Sequence, residues 1–253
     1  MEQLANNFWT FRGDFKVAGV LNLGTHMSLV RRANGRYLLL DSYDLDAGDR
    51  DALLSLTDDG HAIEAVLNVH PFHTLHCAAI QKLLPQARLF GTRRHHGQAS
   101  DLPWEPGFIE DAATQNAFAD DLAFSVPEGV DFVCDDDSVH VASVLVRHRG
   151  SGIVHVDDTI NVLAAPGVLG RLLPQSKLKF HPQLLKALQK RPGAADDYAR
   201  WARDLAEDWS ETPIVCAAHS SIRKLPRDGW RSELLKALAS VETTLSKHRS
   251  EHG

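Results

Sequence analysis

The sequence is short of several things, and each shortage narrows what the protein can be. Its three cysteines, Cys77, Cys134 and Cys216, are odd in number and form no C-x-x-C pair. That argues against a disulfide framework and makes buried free thiols the ordinary reading. Cationic residues are not in excess: 27 Lys and Arg stand against 33 Asp and Glu, a net charge of -6. They are also scattered, so nothing draws the chain to nucleic acid or to an anionic membrane. No apolar run approaches the length of a membrane span. The opening MEQLANNFWTFRGDFKVAGV lacks the basic start, apolar core and cleavage site of a secretory leader, and a cytoplasmic location is the expectation. Also missing are a Gly-x-Gly-x-x-Gly fingerprint after a strand, a Walker-type phosphate loop and a Gly-x-Ser-x-Gly elbow. No repeat, low-complexity tract or linker divides the chain, and residues 1–253 are read as one domain.

What is present is an alternation of strand-like and helix-like segments. SLVRRANGRYLLLD holds two strand-like runs joined by Asn34-Gly35, the pair suited to a two-residue hairpin turn. DLDAGDRDALLSLTDDG reads as a helix opened by acids and closed by Gly60, IEAVLNV as a strand, His76 to Leu84 as a helix stopped by Pro85, and ARLFGT as a strand. Residues 97–127 are loop-rich, with a short helix near DAATQNAFADD. Strands are expected again in VDFVCD, SVHVASVLVRH and GIVHVDDTINVL, the last two turning at Arg149–Gly152. HPQLLKALQK, AADDYARWARDLAEDWS and a C-terminal WRSELLKALASVETTLSKH carry helical spacing around a buried strand, TPIVCAAHS. The fold class is α/β.

Candidate chemistry gathers where strands give way to loops, since a sheet can aim side chains from distant parts of the chain at one point. His73 and His76 follow AVLNV, His140 lies within SVHVASVLV, Asp158 in IVHVDDTINVL and His219 after PIVCA. Imidazole and carboxylate suit zinc, iron or manganese, and the tally is sufficient for one metal. Each has a structural alternative: His73 and His76 as helix-capping or carbonyl-bonded groups, His140 as an ordinary strand residue, Asp158 as a turn residue. His70 completes a His-x-x-His-x-x-His series and reads as a packing or surface residue. Arg93, Arg94, His95 and His96 form a basic cluster that reads as a solvated loop, with His95 and His96 as candidates for contact with an anionic substrate.

At these residues the chain resembles the metallo-β-lactamase fold superfamily over most of its length. GRYLLLDSY is similar to the family's first hairpin, with Asp41 in its aspartate position, and HCAAIQKLLPQARLFGT to the helix and strand after its His-x-His-x-Asp-His loop. His76 then matches the last loop histidine and His73 the second, while Pro71 and Leu75 stand where a histidine and the aspartate belong. His140 precedes Asp158 by 18 residues, Asp158-Thr159-Ile160 resembles the bridging-aspartate motif with Asp157 in place of its glycine, and IVCAAHSS resembles the strand carrying the last histidine, His219. The resemblance implies a four-layer αββα sandwich and a hydrolase of an ester, lactone, thioester or phosphoester, with one divalent metal held among His73, His76, His140, Asp158 and His219. Metal-bound water would be the nucleophile, with Asp158 in the catalytic position. Leucine at position 75 makes the mouth of the site drier and less charged, which lowers metal affinity. The alternative the same residues imply is a member that has lost its metal and acts as a binding or structural protein.

Overall fold

The computed structural model describes residues 1–13, 16–17, 21–22, 25–162, 177–217 and 221–253. Two large sheets, of six and five strands, carry the α/β fold. The described chain falls into two compact units, Met1–Phe124 with Val146–His155, and Ser125–Leu145 with Val156–Gly253.

The first unit is built on β1 (Glu2–Ala5), β2 (Phe8–Gly13), β5 (Thr25–Arg31), β6 (Tyr37–Leu40), β7 (Ile63–Leu67) and β8 (Arg88–Phe90), hydrogen-bonded in the order β1-β2-β5-β6-β7-β8, with β3 (Lys16–Val17) and β4 (Leu21–Asn22) forming a small ribbon. The hairpin expected at Asn34-Gly35 is present between β5 and β6, but its turn is longer than two residues. Gly35 N–H donates to the Arg32 carbonyl at 3.0 Å and Arg32 N–H to Arg36 at 2.8 Å. Gly35 takes the left-handed φ of 86° that closes such a turn, and Asn34 Oδ1 accepts from Arg36 N–H instead of pairing with its neighbour. Arg32 then anchors the turn: its guanidinium bonds Glu64 and Asp121 at 2.7 Å each, and Asp121 also accepts Ala33 N–H at 2.7 Å. Burial opposes the charge on Asp121, yet the Ala33 N–H and Arg32 hold its carboxyl below the usual range.

β6, β7 and β8 pair in parallel, which requires a crossover on each connection. Helix α1 (Ala47–Leu56), capped by Asp46 accepting Asp49 N–H, supplies the first; helix α2 (Cys77–Leu83) supplies the second. One face of the sheet packs Trp9, Phe11, Met27, Leu29, Leu39 and Val66 against Leu53, Ile80 and Leu84 from the two helix segments. The other face, carrying Phe8, Ser28, Val30, Leu38 and Leu40, is equally buried. Burial on both faces is why YLLL and IEAVL read as near-continuous apolar runs instead of alternating. After β8 come helix α3 (Arg93–Gln98), helix α4 (Ala112–Asn116), β9 (Leu122–Ser125) and the hairpin of β10 (Leu145–His148) with β11 (Val154–Val156), in which Val146 faces His155. The hairpin turn at 149–152 is as expected, with Gly152 at φ 72°.

In the second unit β12 (Ile160–Asn161) pairs with β13 (Lys179–Phe180), and β14 (Ile214–Ala217) with β15 (Ser221–Lys224). Helix α5 (Leu184–Ala187) is shorter than HPQLLKALQK suggests; α6 (Ala194–Asp208) fills its segment and buries Tyr198, Trp201 and Leu205 at three-and-four spacing. The single C-terminal helix expected is two, α7 (Gly229–Ser240) and α8 (Glu242–His252), joined at Val241. VDFVCD and the first half of SVHVASVLVRH are not strands. Asp136 accepts both Ser138 N–H and Oγ–H, a side-chain turn that offers the backbone an alternative to a ladder, and strand pairing begins only at Leu145. Among the described residues no helix is long and apolar enough to cross a membrane.

Candidate functional site

In a parallel sheet, groups carried just beyond the carboxyl ends of adjacent strands meet at one edge. β6, β7 and β8 place Asp41, the 68–76 loop and the Thr92–His95 turn in this way. Asp41 has a left-handed φ of 63°, which aspartate tolerates better than most side chains. Its Oδ1 accepts Val69 N–H at 2.7 Å and His70 N–H at 3.4 Å. Beside it the buried Asn68 accepts the Ser42 hydroxyl at 2.7 Å and donates to the Phe90 carbonyl at 3.0 Å, tying the start of the loop to β8. Cys77 packs its sulfur against Asn68 Oδ1 at 3.4 Å, and burial pushes the thiol up to about 12, so it is no nucleophile.

On this backbone stand the three histidines of the loop. His70 is wholly buried, as a packing role requires, and its ring lies 4.1 Å from that of His73, tilted by 37°. Their ring nitrogens come within 4.8 Å of one another. His70 Nδ1 accepts Phe72 N–H at 3.3 Å, so Nε2 is the atom through which this ring could ligate a metal. His76 opens helix α2 without a side-chain capping bond, half-buried, with the Tyr43 ring edge-on at 5.5 Å. Desolvation lowers its pKa, opposed by Asp44. Leu75 between them is 73% exposed.

The basic cluster after β8 is a helix, not a solvated loop. His95 is wholly buried and completes a capping box with Thr92: its Nδ1 accepts Thr92 N–H at 3.1 Å, so Nε2 carries the proton. Burial brings its pKa down to about 4, against the pull of Asp41 and the His73 backbone. Its side chain has no exposed surface. His96 stacks on Trp104 at 5.4 Å and meets Phe108 edge-on at 4.9 Å.

Of the remaining candidates, His140 lies in the strand-free stretch of the second unit, with Nε2 against the Asp137 carbonyl. Asp158 is buried there, its N–H donating to Asp157 Oδ1 and its carbonyl accepting Asn161 Nδ2, each at 2.8 Å. His219 lies outside the described residues. The structure thus brings His70 and His73 to ligand distance of one another, while His76, on the same loop, is outside that group.

Sequence reasoning missed His26 and His155. With Asp41 they form a buried group of metal-ligand type whose atoms lie within 4.8 Å of one another. As placed, the group fits an ion poorly. The rings stack at 4.3 Å with planes 5° apart, and an ion lying in the plane of one would not lie in the plane of the other. Both nitrogens of His155 are also engaged, Nε2 with Asp41 Oδ2 and Nδ1 with Ser28 Oγ, at 2.9 Å each. The available signal was polarity on a buried face: His26 and Ser28 are two apart in THMSLVR, and His155 interrupts IVHV. The loop pair fits better, since two imidazoles on a clamped backbone are part of the donor set that zinc, iron or manganese takes.

No family model matches the sequence, and no curated protein does. Solved structures do match. The metallo-β-lactamase DIM-1, in a crystal exposed to ceftazidime, is 15% identical with a TM-score of 0.58, covering 96% of this chain and 95% of that one. A metallo-β-lactamase from Erythrobacter litoralis with β-mercaptoethanol in its active site is 15% identical at a TM-score of 0.58, over 94% and 95% of the two chains. FIM-1 from Pseudomonas aeruginosa, in its mono-zinc form, is 11% identical at 0.58, over 98% and 95%. The likeness runs the length of the chain at an identity that speaks for the fold alone.

Proposed function

We propose that this chain, which has the metallo-β-lactamase fold, is a metal-dependent hydrolase acting on a small ester, lactone, thioester or phosphoester in the cytoplasm. The observation that carries the reading is the pairing of His70 and His73 on a loop held by a buried aspartate. His70 Nε2 and a ring nitrogen of His73 would hold a divalent ion, with His76 beside them. His70 thereby supplies the imidazole lost at Pro71, one residue from the place the family pattern gives it. A bound zinc, iron or manganese would polarise the scissile group and lower the pKa of water toward neutrality. The chain's own residues set the stage: Asp41 fixes the backbone through the Val69 and His70 amides, and the exposed Leu75 offers an apolar contact beside them. Cys77, Cys134 and Cys216 are buried and form no disulfide, which is in keeping with a reducing compartment.

Elemental analysis of protein purified without added metal tests this directly. About one equivalent of zinc, iron or manganese is expected, and a His70→Ala, His73→Ala double variant should lose it. The ligands that the resemblance adds from the second unit are tested by the same measurement on Asp158→Ala and His140→Ala. Metal-free protein that also refuses zinc at micromolar concentration would sink the reading. It would favour instead a metal-free binding protein, for which Leu75 at 73% exposure, where the family pattern has an acid, is the supporting observation. Because that side chain is so exposed, Leu75→Asp should fold normally. It should tighten zinc binding by roughly 10- to 100-fold in a chelator competition, the range over which groups around a metal set its affinity.

A further inference from the structure

We propose that His155 is a positioning residue for the 68–76 loop, acting through Asp41. A buried series of hydrogen bonds, from the Ser28 hydroxyl to His155, from His155 to Asp41, and from the Val69 and His70 amides to the same carboxylate, sets the backbone from which His70 and His73 project. The activity this would serve rests on the reading above; the structural claim does not.

A carboxylate 1% exposed needs donors on both its oxygens. Oδ1 has the loop amides. Oδ2 has His155 Nε2 at 2.9 Å, and carboxylate can only accept, so the proton of that bond sits on Nε2. In the neutral ring Nδ1 is then the acceptor, and Ser28 Oγ, 2.9 Å away, supplies its hydrogen. Ser28 and His26 come from one face of β5, and the His26 ring lies flat on His155 at 4.3 Å, so the imidazole is held in its plane from one side and at both edges. Ser28 and His155 are both wholly buried, which rules them out as groups that touch a substrate. What they can do is orient the carboxylate. With both oxygens engaged, Asp41 cannot rotate about its terminal bond, and the Val69 amide is met at 2.7 Å, the short distance of a charge-assisted bond. Without His155, Oδ2 loses this donor. The carboxylate then turns to regain one at the expense of the loop amides.

The test is amide hydrogen exchange by NMR on metal-free protein, comparing wild type with His155→Leu and His155→Gln. The Val69 and His70 amides should exchange about 10- to 100-fold faster in His155→Leu, the change expected when a buried hydrogen bond to a charged group is lost. Phe11 and Leu29 amides, within the β2–β5 ladder, should be unmoved. His155→Gln, whose amide N–H reaches toward Oδ2, should restore most of the protection. Unchanged loop exchange in His155→Leu, or equal effects of Leu and Gln, would overturn the proposal. Should His155→Leu fail to fold, the wild-type imidazole nitrogen spectrum decides: an Nε2-protonated His155 supports the assignment, and a neutral ring protonated only on Nδ1 overturns it. Zinc affinity gives a separate arm, with a loss of roughly 10- to 100-fold expected in His155→Leu. If the loop amides respond as stated while neither protein binds zinc, the hydrolase reading falls and the positioning role stands.

Discussion

Asp41→Ala is expected to destabilise the protein by about 3–5 kcal/mol, the upper range for a substitution that leaves several buried donors unsatisfied. The loss has two sources. Val69 N–H, His70 N–H and His155 Nε2 all lose the acceptor they share. An unsatisfied buried donor costs on the order of 1–3 kcal/mol, though local relaxation and water entry recover part of the sum. The backbone adds to it: at φ 63° an alanine meets the left-handed penalty, roughly 1 kcal/mol, without a short polar side chain to offset it. Urea or guanidinium unfolding followed by fluorescence of the buried Trp9 and Trp230 would measure the change. A drop below about 1 kcal/mol would show that the aspartate is not the anchor described here.

Acid should weaken the metal-free protein, and His95 should account for much of the effect. Its folded pKa of about 4 lies below the 6.5 of the free side chain. Between those values the unfolded chain binds a proton that the native protein does not, so stability falls as pH drops from 6.5 toward 4 and levels off below. The full contribution of a 2.5-unit difference is roughly 3 kcal/mol at 1.36 kcal/mol per unit. His76 and His148, both lowered chiefly by burial, add to the slope in the same sense. The difference between wild type and His95→Asn isolates His95, since asparagine keeps an acceptor for Thr92 N–H while removing the titration. Parallel stability curves for the two proteins between pH 4 and 6.5 would contradict the assignment.

How much of this was legible in the sequence depends on the distance over which the cause acts. Local causes read well. Asp46 and Asp49 opened α1, Pro85 followed α2, and YLLL and IEAVL are strands as read; Gly60, expected to close α1, lies beyond its end, since the helix stops at Leu56 with Thr57 as its cap. The histidine loop after β7 was legible because it sits next to a strand end, and the aspartate at the end of the first hairpin because the family resemblance pointed to it. Reading failed where a side chain competed with the backbone, as Asp136 does in the strand-free stretch, and where a charged run hid an amphipathic turn of helix. RRHHG looks solvated as letters. Only the capping box shows that His95 turns inward while Arg93 lies over Phe108. His26 and His155 were invisible for a different reason: they are 129 positions apart, and nothing in either strand states that its polar residue will meet another from across the fold.

The β5–β6 turn has a practical consequence. Hairpin tips are ordinarily where a chain tolerates an inserted epitope, a split site or new termini. This one is moored on two sides, through Arg32 to Glu64 on β7 and through Arg32 and Ala33 to Asp121 ahead of β9. Protein engineers would do better to graft at Asp58–Asp59, whose exposed residues already adopt positive φ and carry no ion pair among those described.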